Sequence, residues 1–452
     1  MSYRDLEDKL VEETRRVVEI AIANGADNAV AAMTQKSEFQ VEVRNNEIEN
    51  LSEADFHSVS LTVSKDGRRA TVSSCDLSPE SIAAQVDQAL AMCKYTDQDP
   101  FYHLPDPASL ATAEDNLDLY DEQVEAIDVN EKIQRVLALE KAMLGQDSRL
   151  LSDGCSLSTI AGTSVLANSL GFSRPKKSSL IYLGASAFAS DQVSEGDLNT
   201  GRKQTASWAT RARFVEDLES PEEVAKVVAS RVLRKLGARK PPSGKYPVYF
   251  DPSLAKSLWG NLIAAISGTQ IYRHESYLEG KLGQAVASPL VTIYDDPTIK
   301  RGLASRVFDS EGLACKAGHL VEEGILSTYL LGCYSARKLG MQPTGHGGGP
   351  GNLIIKPGTL SEEDMLQQMG TGIWLTSLLG QGVNISTGDY SRGAFGLWVE
   401  NGKVQYPVME FTINSNLAEM FAGIVMVGNN VATHTSVMTP GLVIQEMSIS
   451  GA

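Results

Sequence analysis

The sequence predicts an α+β protein of two domains, with large antiparallel sheets and helices packed on them. Three observations carry that prediction. A chain of 452 residues exceeds what one core organises. Apolar alternation of period two recurs in paired segments joined by tight turns, at Asp66-Gly67, Glu323-Gly324 and Asn401-Gly402. Helical periodicity is bunched between those pairs, and no parallel βαβ alternation is visible.

In chain order, Asp5 to Ala23 repeats apolar residues at helical spacing (Leu6, Leu10, Val17, Val18, Ala21, Ile22) and meets a stop at Asn24-Gly25. "FQVEV" and "IENL" flank Arg44-Asn45-Asn46-Glu47 as strands. About Asp66-Gly67, pairing sets Val59, Leu61, Val63, Ala70 and Val72 on one face. Ser78 caps a helix with Pro79 at its first position, which buries Ile82, Val86, Leu90 and Cys93. Another helix spans Val129 to Leu144. From Ser152 to Arg211 small and polar residues dominate, and "SVLANSLGF" and "SSLIYLGASAFAS" read as strands of a sheet with one open face. Ser220 caps a helix whose acids lie early and bases late, as the macrodipole favours. Two prolines and a glycine near Lys240 to Tyr246 then mark the boundary, giving an N-terminal domain 1–239 and a C-terminal domain 240–452.

The second domain opens with "VYF", and Asp251-Pro252 start a helix reaching about Ser267. A hairpin turns at Glu323-Gly324, "SARKLG" is helical, and a loop "PTGHGGGPGN" precedes strand "LIIK". Ser361 caps a further helix, and "GLVIQEMSI" ends the chain as a strand. Asn401-Gly402 suits a type I′ turn, whose two central residues need positive φ. Strict pairing from that turn sets Val399 opposite Val404, Leu397 opposite Tyr406 and Phe395 opposite Val408 on one apolar face. Gly396 lies on the other face, leaving backbone open to close approach.

Composition excludes several function classes. Forty basic against 56 acidic residues give a net charge of −16, which opposes the phosphate neutralisation that drives nucleic-acid binding. The one basic run, Arg234 to Lys245, has no interleaved aromatic and reads as a solvated linker. The first residues show no apolar leader, and no apolar run approaches the roughly twenty residues that cross a bilayer. Five cysteines, widely spaced and without a CxxC, argue against a disulfide framework and a thiolate zinc site. A soluble protein of a reducing cytoplasm is expected.

Chemistry-bearing motifs are sparse. The six histidines (His57, His103, His274, His319, His346, His434) are scattered, so none pairs with another one helical turn away as a zinc helix requires. "GHGGGPGN" lacks the Lys-Ser/Thr of a phosphate loop, and "GTGIWLTSLLGQG" opens no dinucleotide unit. The glycine-rich backbone at His346, Gly347 and Gly348 is nevertheless suited to contact an extended peptide. Asp389 and Arg392, three apart in "GDYSRG", form an expected local ion pair and flank the same candidate substrate surface. No GxSxG appears, so a serine hydrolase built on Ser391 is the least favoured reading.

"FDSEG" (308–312), "EEGIL" with "YLLGCYSARKLGMQPTGHGGG" (322–349), the block 369–408 and "TVSSCDLSPESI" (71–82) closely resemble the PmbA/TldE type of the TldD/PmbA family, and the resemblance runs essentially end to end. It implies a heteromeric zinc metallopeptidase. In it a TldD-type chain carries His-Glu-x-x-x-His on a helix and supplies the zinc, whereas the TldE-type chain holds no cofactor and no catalytic or metal-binding residue. The matching helix here reads "SLWGNLIAAISG". Leu254, Leu258, Leu262 and Ile266 form a core stripe at spacing four, with Asn261 the one polar side chain near the ligand positions. His274 and Glu275 lie beyond it in the wrong order and spacing. The resemblance therefore implies a noncatalytic subunit, a TldD-type partner, and peptide or unfolded-protein substrates, with a homodimer open to the isolated chain. A rival implication is a regulatory binding protein of the gyrase-modulator type.

Overall fold

The computed structural model describes residues 3–112, 116–191, 201–433 and 435–452, so His434 lies outside the described residues. Strands β1 (Asn28–Arg44), β2 (Glu47–Lys65), β3 (Arg68–Ser74), β4 (Leu151–Asn168), β5 (Ser173–Ser190) and β6 (Lys203–Ala212) form one antiparallel sheet in the order β3-β2-β1-β4-β5-β6. Asn45 and Asn46 (φ 54° and 61°) close the first hairpin, and Asp66 and Gly67 (52° and 71°) close the second, both with the positive φ pair of a type I′ turn. The second hairpin keeps the expected register, Val63 opposite Ala70 and Leu61 opposite Val72. "SVLANSLGF" is instead the end of β4 and a turn. Asn168 accepts from the amides of Leu170 and Phe172, and Gly171 takes φ 88°, so the chain reverses there.

Buried apolar residues on β1 (Ala29, Ala31, Met33, Phe39, Val41, Val43) and β4 (Cys155, Leu157, Ala161, Val165, Ala167) all carry odd numbers, which places them on one face of the sheet. Helices α1 (Tyr3–Ala23) and α2 (Pro79–Cys93) cover one end of that face; α3 (Glu122–Ala126), α4 (Val129–Leu144) and α5 (Pro221–Leu233) cover the other. Even-numbered Lys36, Glu38, Gln40 and Glu42 lie half-buried or exposed on the opposite face, which stays open as the composition predicted.

The C-terminal half contributes strands β7 (Gly244–Phe250), β8 (Ile293–Asp296), β9 (Gly318–Glu322), β10 (Ile325–Leu326), β11 (Asn352–Ile355), β12 (Gly372–Leu379), β13 (Asp389–Glu400), β14 (Lys403–Asn416), β15 (Ile424–Val431), β16 (Val437–Met438) and β17 (Pro440–Ser450). Its helices are α6 (Pro252–Ala265), α7 (Gly268–Tyr272), α8 (Cys333–Leu339), α9 (Glu362–Met369) and α10 (Leu417–Ala422). The larger sheet runs β14-β13-β12-β7-β17-β15, and β14 also pairs with β17, so five strands close on themselves and bury their own edges. The smaller sheet runs β10-β9-β8-β11-β16. Two pairings are parallel, β7 with β12 and β11 with β16. They join segments far apart in sequence, which local pattern cannot reveal.

The hairpin at Asn401-Gly402 (φ 53° and 73°) starts as expected, with Val399 opposite Val404, and then departs from strict pairing. A bulge leaves Trp398 opposite Tyr406, Leu397 opposite Pro407 and Gly396 opposite Val408, and a second, beyond Gly396, sets Ala394 opposite Phe411. Bulges re-aim the side chains, so Leu397, Trp398 and Val399 are all buried. Gly396 is no open surface either: a Cβ there would lie 2.6 Å from the Trp374 carbonyl oxygen, so β12 occupies the space.

Candidate functional site

Asp251 caps α6 through the Leu254 amide, and Pro252 at the first position fixes its entry. The inward stripe, Leu258, Leu262 and Ile266, is at most 1% exposed and Leu254 packs at its margin. Each buried aliphatic side chain of that kind contributes roughly 1.5–3 kcal/mol. Trp259 stacks on Phe421 with centroids 5.7 Å apart and donates its indole N–H to Thr439 Oγ1 at 2.7 Å. Zinc is held by imidazole, thiolate or carboxylate donors. This face offers methyl groups and a committed indole, so the residues present do not fit the ion. Among the described residues no three His, Cys, Asp or Glu side chains are grouped to hold a metal.

The glycine-rich loop is organised by carboxylates from the preceding segment. Asp309 accepts from the amides of Gly347 (2.8 Å), Glu311 (2.9 Å) and Leu313 (3.0 Å), and burial still pushes its pKa up against those bonds. Glu311, also raised chiefly by burial, accepts from the Cys333 amide at the start of α8 at 2.6 Å. His346 is engaged at both ring nitrogens, Nε2 with Asp295 Oδ2 at 3.0 Å and Nδ1 with Thr344 Oγ1 at 2.8 Å. The His346 and Asp295 side chains are 8% and 2% exposed, and Asp295 Oδ1 has no partner. Gly347 is buried, whereas Gly348 is exposed at φ 88°.

Asp389 and Arg392 stand elsewhere, on β13, and no hydrogen bond or ion pair among the described residues joins them to the His346 loop. They do not form the expected pair with each other. Three positions along a strand put side chains on opposite faces. Asp389 instead accepts from Thr387 Oγ1 at 2.6 Å, and Arg392 Nε is buried without a partner.

A concavity of about 980 Å³ lies between β6, the edge strand of the N-terminal sheet, and the C-terminal barrel. Lys203, Arg211, Arg231, Arg234, Lys235 and Lys256 line it, with Glu219 the one carboxylate among the described lining residues. Sequence reading missed this site because it treated the run beginning at Arg234 as solvated linker. In the fold Lys235 is 8% exposed, donating to the Thr205 carbonyl at 2.8 Å and to Ser377 Oγ at 3.1 Å. Arg239 lies over the Tyr406 ring at 3.5 Å. The available signal was helical phase, since Arg231, Arg234 and Lys235 share a face at spacings three and four.

Comparisons with known proteins bear on the whole architecture. Models of the PmbA/TldA metallopeptidase match residues 29–93 as domain 1, 122–236 as the central domain and 243–451 as the C-terminal domain. The chain is 37% identical over 449 residues to the metalloprotease PmbA of Escherichia coli O157:H7, covering 98% of each chain. It is 36% identical over 448 residues to a PmbA homologue of Haemophilus influenzae, covering 98% of this chain and 97% of that one. A crystal structure from Bacteroides thetaiotaomicron, described as a candidate modulator of DNA gyrase, matches with TM-score 0.91 and 28% identity over 98% of both chains. TldE from Thermococcus kodakarensis matches with TM-score 0.84 at 19% identity, over 97% of this chain and all of that one, a likeness of fold. Together these matches place the chain in the PmbA/TldD metallopeptidase family.

Proposed function

We propose that this chain is the TldE-type, noncatalytic subunit of a cytoplasmic TldD–TldE zinc metallopeptidase that degrades or matures peptides and unfolded segments. The observation that carries the reading is α6. Where the resemblance implies metal ligands in a TldD chain, this chain sets Leu258, Leu262 and Ile266 into its core. A TldD-type partner would then bring zinc and the hydrolytic water, while this chain completes the assembly and contacts substrate. His346 is held too firmly by Asp295 and Thr344 to act as a base without breaking that arrangement. The exposed backbone at Gly348, with Asp389 and Arg392, belongs to this proposal as peptide-contacting surface.

The test is metal analysis and peptide hydrolysis on the purified chain, alone and mixed with a TldD-type chain. Without the partner, zinc is expected well below one equivalent and hydrolysis absent; adding the partner restores both. Stoichiometric zinc with hydrolysis by the isolated chain would overturn the reading.

A second reading draws on the gyrase-modulator description of the Bacteroides structure, a regulatory binding protein without a peptidase role. A net charge of −16 disfavours direct DNA contact, so its target would be a protein. Native pull-down separates the two: a TldD-type chain in equal amount supports the first, gyrase without it the second.

A further inference from the structure

The cleft between β6 and the barrel inverts the charge of the molecule that contains it. The chain has 16 more acidic than basic residues, yet among the described residues the cleft wall carries six cations and one carboxylate. Among the described residues none of those six cations makes an ion pair. Arg231 lies over the Trp208 ring at 4.3 Å, and Glu219 accepts the Trp208 indole N–H at 3.2 Å, so the one carboxylate is partly occupied. Arg234 Nε and Thr376 Oγ1 are buried with no hydrogen-bond partner. Burial lowers the pKa of Arg231, Arg234 and Lys256 against the pull of Asp251, the buried cap of α6. Clustered, unpaired and half-desolvated cations are costly in a folded protein unless something offsets them.

We propose that this cleft binds an extended acidic peptide, whose carboxylates lie against Arg231, Arg234 and Lys256 while its backbone runs along the outer edge of β6. Arginine's planar fork is suited to bidentate carboxylate bonds, and Arg234 has a donor to spare. Among the described residues β6 pairs with β5 alone; Lys235 takes the Thr205 carbonyl, and the rest of the outer edge pairs with no other strand and suits hydrogen bonding to another extended chain. The volume of about 980 Å³ lies at the upper end of small-ligand sites and accommodates a few extended residues. A nucleic acid would need cations spread along an outer surface, and here the surrounding net charge repels it. The peptide class rests on the reading above; the cation cluster does not.

Fluorescence anisotropy on the full isolated chain tests the proposal, with a rhodamine-labelled peptide of alternating Glu and Val, its Gln-for-Glu counterpart, and a single-stranded oligonucleotide. The acidic peptide is expected to bind about tenfold or more tightly than the Gln peptide. Raising salt weakens it. Arg211→Glu and Lys256→Glu, at exposed positions, are expected to remove that preference with the thermal unfolding midpoint unchanged, and Arg234→Met to weaken binding similarly. Equal affinity for the two peptides, tighter binding of the oligonucleotide, or indifference to both charge reversals would overturn it. Because no partner chain is present, such a failure leaves the TldD association to be judged by its own experiment.

Discussion

Lys235 on the segment after α5 donates to Ser377 Oγ on β12 at 3.1 Å, joining two halves of the molecule across 142 positions of sequence. The same ammonium reaches the Thr205 carbonyl on β6. One buried cation thus ties the N-terminal sheet, the connecting helix and the barrel together at the floor of the cleft.

That burial sets a pH dependence. Desolvation, followed by Arg234 and Arg231, lowers Lys235 from 10.5 to about 8. Between those values the unfolded chain holds a proton that the folded chain has released, so stability rises with pH from about 8 toward 10.5, and the burial cost is fully present below 8. Urea unfolding at the two ends of that window should show a gain of about 1–3 kcal/mol in the wild type relative to Lys235→Met. A gain of equal size in both proteins would assign the effect to other groups.

His346→Ala removes the one hydrogen-bond partner that the 2% exposed Asp295 side chain has among the described residues, leaving both of its buried oxygens unsatisfied. The expected loss is about 3–5 kcal/mol by denaturant titration. Under 1 kcal/mol would mean that water or a neighbour takes over the imidazole's place.

Gly402 combines φ 73° with a crowded surround, since a Cβ there would sit 2.6 Å from Gln367 Oε1 and 2.7 Å from Gln367 Cα. The backbone cannot retreat as a side chain can. Gly402→Ala is expected to cost about 2–3 kcal/mol, whereas Gly340→Ala, with φ 65° and open space around it, should cost nearer 1 kcal/mol. Similar losses for the two would remove the steric contribution from Gly402.

Leu262 is fully buried in the main core of the C-terminal half. Truncation to Ala should lower stability by about 2–5 kcal/mol through lost transfer energy and the cavity left behind. Hydrolysis by the reconstituted TldD mixture, measured well below the unfolding midpoint, should stay near wild type if α6 has a structural role alone; a large loss of turnover without a loss of fold would contradict that role.

Local signals wrote most of the elements into the sequence. Ser78-Pro79, Ser220-Pro221 and Asp251-Pro252 start helices where they stand, because a cap side chain and a proline act on the backbone beside them. Asp66-Gly67 fixes its hairpin register, because a two-residue turn leaves one way to pair the flanking strands. At Asn401-Gly402 the same signal fixes only the first pairs, since the later bulges answer to what packs on Trp398 and Gly396 rather than to the turn.

The sequence by itself determined the apolar face of α6, the family to which the chain belongs and the scarcity of metal ligands, all properties of residue type and near spacing. Only the tertiary structure decided that β14 returns to β17, that β7 lies parallel to β12, that Asp309 gathers the glycine loop, and that Arg231, Arg234 and Lys235 face a cleft instead of solvent. Each of those depends on groups brought together from distant parts of the chain, where burial changes what a charge costs and periodicity carries no information about what lies opposite.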